Sequence, residues 1–262
     1  YRINVFYLIE NYFRLFIKTH QEHTTFSGSA DTSASVCTDS PWHCSGESMY
    51  KRDRYARDRV IKSVRLLLPH LKSGDTVLDV GCFTQEARKY LPSSVKYIGI
   101  DQKAYHKETK VMDLNHGFEV IPCSHALCLE TLEHLLDPGD VLQSLKESLP
   151  EVGLLVVSLP NETTIFHRIR SLLGVVDAEC FSGEGKHLHL PSLQQSRLFL
   201  QKHGLEIVEQ HFYISPTACN SRNLILGKIL SLIPESIHQL LADRIPSLFA
   251  RGFIFLLKKK VD

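Results

Sequence analysis

Apolar positions along the chain fall into two alternating rhythms. Val60, Val64, Leu67, Leu68 and Leu71 recur at helical spacing, so 53–71 is predicted to be an amphipathic helix. Ser73-Gly74-Asp75 then forms a turn, and the short apolar run TVLDV leads into Gly81. Similar runs follow at 95–100 (VKYIGI), 125–129 (HALCL) and 152–159 (VGLLVVSL), with helical candidates at 84–91 and 138–149 between them. In the latter, Val141, Leu142, Leu145 and Leu149 share one face. Strands apolar on both sides, alternating with helices, predict a parallel sheet covered on both faces. Farther along, LEIVEQHFYI (205–214) and GFIFLL (252–257) read as strands. Between them Leu226, Ile229, Leu230 and Ile233, then Ile237, Leu240, Leu241 and Ile245, predict two amphipathic helices. The expected fold is a doubly wound α/β sheet with a late helical insertion at 220–249.

The first part of the chain has a different texture. Residues 1–17 are apolar and aromatic but broken by Arg2, Glu10 and Arg14, without the layout of a signal peptide. A helix lying on a membrane surface is the functional alternative for that stretch. Residues 24–48 are rich in Ser, Thr and Gly, which is linker chemistry. The folded domain is therefore expected over 49–262, with 1–48 a flexible or non-native extension.

Composition narrows the classes. Of 262 residues, 43% are hydrophobic and 23% charged, values of a globular chain rather than a disordered one. Lys and Arg number 30 against 29 Asp and Glu, which argues against the basic footprint of an autonomous nucleic-acid binder. The seven cysteines are irregularly spaced with no C-x-x-C, suggesting reduced thiols in a cytoplasmic protein rather than a disulfide framework or zinc site. No apolar run approaches the roughly 18 residues of a membrane span. The basic residues of 51–65 read as a solvated helix face, with a phosphate or acidic partner as the alternative. Lys258-Lys259-Lys260 reads as a solvated end, with contact to an anionic membrane surface as the alternative.

In doubly wound sheets ligands sit at the carboxyl ends of the strands. The residues there are Asp79 and Gly81, Asp101, Glu130 to His134, and Pro160-Asn161. Asp101 follows the Gly81 turn by about 20 residues, where an acidic side chain can accept the hydroxyls of a ribose. No G-x-G-x-x-G is present, so a ribose-bearing cofactor without a pyrophosphate fits better than a dinucleotide. His187 and His189 alternate in a segment expected to be extended, and thus share a side; either can serve as a general base. Glu130, Glu133 and His134 lie at i, i+3 and i+4 on one side of a turn, a donor set that suits a divalent cation. Capping and packing of that turn is the plainer alternative. Cys82, Cys123 and Cys128 read as small hydrophobes.

Taken in order, VLDVGC, IGID, the M-D-L-N at 112–115, LETLEHLLDP and VVSLPN resemble the motifs of class I S-adenosylmethionine-dependent methyltransferases over about 53–214. SLPNETTIFHRIRSLLG followed by KHLHLPSLQQSRLFLQKHGLEIVE is similar to the methyltransferase-domain-11 and MetW-like subgroup. The resemblance implies a Rossmann-like, mostly parallel, seven-stranded sheet and the cofactor S-adenosyl-L-methionine. It implies that Asp79, Gly81, Cys82 and Gln85 border the methionine end of that cofactor. Asp101 would bind the ribose, Asp113 and Leu114 would flank the adenine, and Glu130 would lie alongside. The E-x-x-E-H set is similar to a metal-supporting motif of ubiquinone-pathway O-methyltransferases and small-RNA 2′-O-methyltransferases, with His187 or His189 able to complete it. One departure stands out: Phe83 and Gln85 occupy two positions that are usually glycine. The expected activity is in-line methyl transfer to a small or lipid-linked acceptor, with His187, His189 or His134 removing an acceptor proton. An inactive methyltransferase-like scaffold and a metal-assisted RNA 2′-O-methyltransferase are the alternatives.

Overall fold

The computed structural model describes residues 54–172, 174, 187–214 and 234–260. The extension 1–48 and the first half of the predicted insertion, 220–233, lie outside the described residues. Helix α1 (Arg54–Leu67) is the predicted first helix, and it buries Ala56, Val60, Val64 and Leu67 along one face. Seven strands then form one sheet: β1 (Thr76–Val80), β2 (Lys96–Asp101), β3 (Lys110–Val111), β4 (His125–Leu129), β5 (Leu154–Pro160), β6 (Leu205–Tyr213) and β7 (Gly252–Lys259). Their order is β3-β2-β1-β4-β5-β7-β6. The first five run parallel, and β7 lies antiparallel between β5 and β6.

Alternation along the strands sorts the core into two layers. On one face Leu78, Val80, Ala126, Cys128, Leu155, Val157, Phe253 and Phe255 pack under α2 (Pro138–Ser148) and α4 (Leu193–Lys202). On the other, Val77, Leu127, Leu129, Val156, Ile254 and Leu256 pack under α1. Helix α2 begins at an Asp137 cap whose side chain accepts from the Gly139 amide, with Pro138 next in line. Helix α4 opens on a capping box between Ser192 and Gln195. Helix α3 (Ile165–Leu172) follows β5, and α5 (Glu235–Arg244) is the described half of the predicted insertion.

One expectation is corrected. The helical candidate at 84–91 is a 3₁₀ turn, Glu86–Tyr90, because Gln85 before it is left-handed and Pro92 follows just beyond. Strand β3 has only two exposed residues, too few to leave a periodic trace. Lys258 and Lys259 pair with Glu206 and Glu151, and no described helix is long and apolar enough to cross a membrane.

Candidate active site

Parallel register brings the ends of β1, β2, β4 and β5 side by side, with Val80 opposite both Ile100 and Cys128, and Leu129 opposite Ser158. The turn after β1 is tied to β2. The amides of Gly81 and Cys82 both donate to the Ile100 carbonyl, at 2.9 and 3.1 Å, and the Phe83 amide donates to Asp101 Oδ2 at 2.9 Å. Gly81 has φ +74°, and a Cβ there would fall 2.1 Å from Thr131 Oγ1. Thr131 in turn donates toward the Val80 and Leu129 carbonyls. Glycine is thus required both by conformation and by space.

Phe83 and Gln85 keep the left-handed shape that glycine would give, at φ 44° and 58°. Each carries a strain of about 1–2 kcal/mol for an L-residue. The Phe83 ring leans on Tyr105 with centroids 4.4 Å apart. The Gln85 side chain is buried and donates to Thr109 Oγ1 at 3.1 Å. Between them, Thr84 Oγ1 is buried without a hydrogen-bond partner among the described residues. An idle hydroxyl in a left-handed turn beside a buried acid suits the polar, ribose-bearing cofactor expected at these strand ends.

Both acids of this corner are buried. Burial, with the nearby Asp101 charge, pushes the Asp79 carboxyl up to about 7, against the opposing hydrogen bond from Tyr97 Oη. Asp101 is also raised by burial, opposed by the amides of Phe83 and Lys103 that bind its two oxygens. Burial pushes the Cys82 and Cys128 thiols upward and Cys123 to about 11, so these are packing groups, not nucleophiles. Leu114 is buried, whereas Asp113 is exposed and accepts from the Asn115 backbone and side-chain amides, both at 3.0 Å.

A second group of residues follows β4. Glu130 has φ 51°, and its carboxylate accepts from Tyr213 Oη at 2.8 Å and faces Arg59 at 3.4 Å. Glu133, in the 3₁₀ turn Leu132–His134, is 1% exposed, and neither of its oxygens has a hydrogen bond among the described residues. Burial, then the Glu130 charge, pushes its carboxyl well above the ordinary range. His134 Nε2 lies 3.9 Å from it. His187 joins this pair: one donor atom each from Glu133, His134 and His187 lies within 4.8 Å of the others. The rings of His134 and His187 meet edge to face at 4.9 Å.

The two histidines of K-H-L-H part company. The amides of Leu188 and His189 both donate to the Glu133 carbonyl, at 2.8 and 3.1 Å, so the segment bends instead of running extended. His187 Nδ1 meets Glu162 Oε1 at 2.6 Å, while the exposed His189 contacts the Leu135 carbonyl through Nε2 at 2.9 Å. The expectation that both share a side therefore fails, and His187 alone joins Glu133 and His134. Glu130 stands apart from that trio, engaged by Tyr213 and Arg59.

Sequence reasoning gave no individual role to Arg59 or Thr131 and none at all to Glu162 and Tyr213. Glu162 was within reach, since it sits two residues past the end of β5, where ligands are expected. Asn161 beside it is structural: its Nδ2 donates to the Pro246, Ser247 and Ala250 carbonyls and pins the turn before β7.

A family model described as a methyltransferase domain matches residues 51–210. No curated protein matches the chain. Among solved structures the chain is similar to a SAM-dependent methyltransferase from Archaeoglobus fulgidus, at 18% identity over 81% of this chain and 99% of that one, with a TM-score of 0.53. A SAM-dependent methyltransferase from Thermotoga maritima gives 15% identity, 82% and 94% coverage, and a TM-score of 0.53. Magnesium protoporphyrin IX methyltransferase from Synechocystis, with bound SAH, gives 14% identity, 97% and 99% coverage, and 0.52. At these identities the likeness is one of fold.

Proposed function

The chain belongs to the methyltransferase-domain family of S-adenosylmethionine-dependent enzymes, and we propose that it methylates an oxygen of a small or lipid-linked acceptor. One observation carries the reading: the β1 turn keeps its left-handed form at Phe83 and Gln85 and still hands an amide to Asp101. The Gln85 side chain is directed to Thr109 and the Phe83 ring to Tyr105, which supports an open cofactor site over an inactive scaffold.

When bound, S-adenosylmethionine supplies a methyl group made electrophilic by its sulfonium. The residues of the chain orient and desolvate. Asp101 would accept the ribose hydroxyls, and the backbone of the Gly81 turn through Cys82 to Gln85 would line the methionine end, as Leu114 and Asp113 would the adenine. His187 takes the proton of the acceptor hydroxyl as its oxygen attacks in line, a role worth roughly 10²–10⁴-fold in rate. Exposed Leu136, Leu188 and Leu190 lie in the segments beside His134 and His187, which favours an apolar acceptor. On α1, Arg59 turns inward to Glu130 and Lys62 to the Phe212 carbonyl and Gln239, which weighs against a nucleic-acid acceptor. The test is calorimetric titration with S-adenosylhomocysteine. Micromolar binding lost in Asp101→Ala is expected; a folded wild type that binds nothing refutes the reading.

A second reading adds a divalent cation. It is favoured by the two unbonded, buried oxygens of Glu133. Glu133, His134 and His187 would hold the ion, which would orient and acidify the acceptor hydroxyl. A rise in thermal midpoint with added Mn²⁺ or Mg²⁺, absent in Glu133→Gln, is the expected sign; identical responses of the two proteins remove the ion from the scheme.

A further inference from the structure

We propose that Glu162 is a positioning residue: its carboxylate accepts a hydrogen bond from the Nδ1–H of His187 and so leaves Nε2 as the basic nitrogen of that ring. The inference rests on the role given to His187 above, and it holds whether Nε2 receives a proton or a cation.

Three observations converge. Glu162 Oε1 lies 2.6 Å from His187 Nδ1, in a pocket where the two side chains are 16% and 28% exposed. The backbone on both sides is fixed: Leu188 and His189 hang on the Glu133 carbonyl, and the Glu162 amide donates to the Pro191 carbonyl at 3.4 Å. With the chain held there, the choice left to His187 is how its ring turns and which nitrogen carries the proton. Finally, the second oxygen of Glu162 is also turned to an imidazole, so the carboxylate sits between the nitrogens of His187 and His167.

The chemistry follows from the donor inventory. A neutral imidazole has one N–H and one lone pair, and the partner of one nitrogen decides the state of the other. An ionised carboxylate only accepts, so Nδ1 facing Glu162 must donate. Free imidazole side chains in water favour the proton on Nε2, the form that would leave His187 without a base on that nitrogen. Glu162 reverses this preference, as outer carboxylates do for working histidines elsewhere. Its other oxygen faces His167 Nε2 at 3.4 Å, and His167 Nδ1 contacts Thr164 Oγ1 at 3.0 Å. Among the described residues the titratable groups around His187 are thus Glu162 after β5, Glu133 and His134 after β4, and His167 in α3, with Arg251 acting on Glu162.

The test is ring nitrogen-15 NMR on the full chain, in chelator, at about pH 8.5, two units above the ordinary imidazole value. The His187 resonances are assigned by their loss in His187→Gln. The unprotonated signal is expected at Nε2 in the wild type and in Glu162→Asp, and at Nδ1 in Glu162→Gln. His167→Gln, which removes the second contact of Glu162, is expected to leave His187 unchanged. A wild-type lone pair on Nδ1, or the same tautomer in Glu162→Gln as in the wild type, overturns the proposal. If Glu162→Gln fails to fold, Glu162→Ala replaces it with the same two outcomes. S-adenosylhomocysteine titration of each variant separates this result from the methyl-transfer reading. Loss of cofactor binding in the wild type would defeat that reading and leave the tautomer measurement standing.

Discussion

Gly81→Ala tests the architecture of the cofactor corner most directly. At φ +74° an L-residue costs about 1–2 kcal/mol in backbone strain alone. The added Cβ would also meet Thr131 Oγ1 at 2.1 Å, Cγ2 at 2.6 Å and Cβ at 2.8 Å, all inside any real contact distance. Relief by moving Thr131 means giving up its hydrogen bonds to the Val80 and Leu129 carbonyls, at 3.3 and 3.2 Å. Overpacking of this kind costs roughly 1–3 kcal/mol. The sum is about 2–5 kcal/mol, or a fall in thermal midpoint of roughly 5–20 °C for a domain of this size. The steric share can be isolated. Thr131→Ala removes the two nearest atoms and leaves Cβ, so Gly81→Ala combined with Thr131→Ala should lose less than the sum of the single losses, by about 1 kcal/mol or more. Differential scanning calorimetry of the four proteins, without cofactor, reads both quantities. A Gly81→Ala midpoint within about 2 °C of wild type, or strictly additive losses, would refute the reasoning.

Asp79 makes a pH-dependent contribution in the cofactor-free protein. Its carboxyl is raised from 3.8 to about 7 by burial, so the folded state favours the protonated form; stability is complete below the unfolded value and is lost as pH rises through about 7. Thermal midpoints measured from about pH 4 to 8 should therefore fall more steeply for the wild type than for Asp79→Asn; parallel curves would remove the cause. Asn161→Ala strips the side-chain donor shared by the carbonyls of Pro246, Ser247 and Ala250, of which Pro246 keeps the Ala250 amide. Removing a donor from buried carbonyls costs roughly 1–3 kcal/mol, visible as a lower urea midpoint with an unchanged slope. Gly252→Ala would bring a Cβ within 2.2 Å of Tyr213 Oη, and Tyr213→Phe should recover part of the loss.

How much of this was legible in the sequence follows from the range of each signal. Val60, Val64 and Leu67 announce α1 because helix faces repeat locally, and TVLDV and HALCL announce β1 and β4 because buried parallel strands are apolar throughout. Once those runs implied a doubly wound sheet, their ends pointed to Asp79, Asp101 and Glu130. What failed was non-local or conformational. His187 and His189 look equivalent until the Glu133 carbonyl bends the chain between them, a contact across 55 residues and more. Glu130 looks like a ligand beside Glu133 until Tyr213 reaches it from β6 and Arg59 from α1. Strand β3 and the 3₁₀ turn after Gln85 are too short to carry a period.

The Phe83 and Gln85 positions show why a lost glycine motif need not mean a lost site. Glycine serves two purposes in such a turn, left-handed backbone and freedom from side-chain bulk, and these are separable. Here the first is kept at φ 44° and 58°, at a local strain that packing can offset. Gln85 buries its amide on Thr109, and Phe83 sets its ring against Tyr105. The second purpose is met by direction: both side chains contact the segment after β2, at 105 and 109. Gly81 has no such escape, because Thr131 fills the space its side chain would need. The one glycine that remains is the one at which both requirements coincide, which is why the loss on substitution should be large at position 81 and small at positions 83 and 85. Phe83→Gly and Gln85→Gly each exchange about 1–2 kcal/mol of relieved strain against the lost packing, and their midpoints should stay within a few degrees of wild type. A collapse of either variant on the scale expected for Gly81→Ala would mean that the side chains, not the backbone, hold the turn.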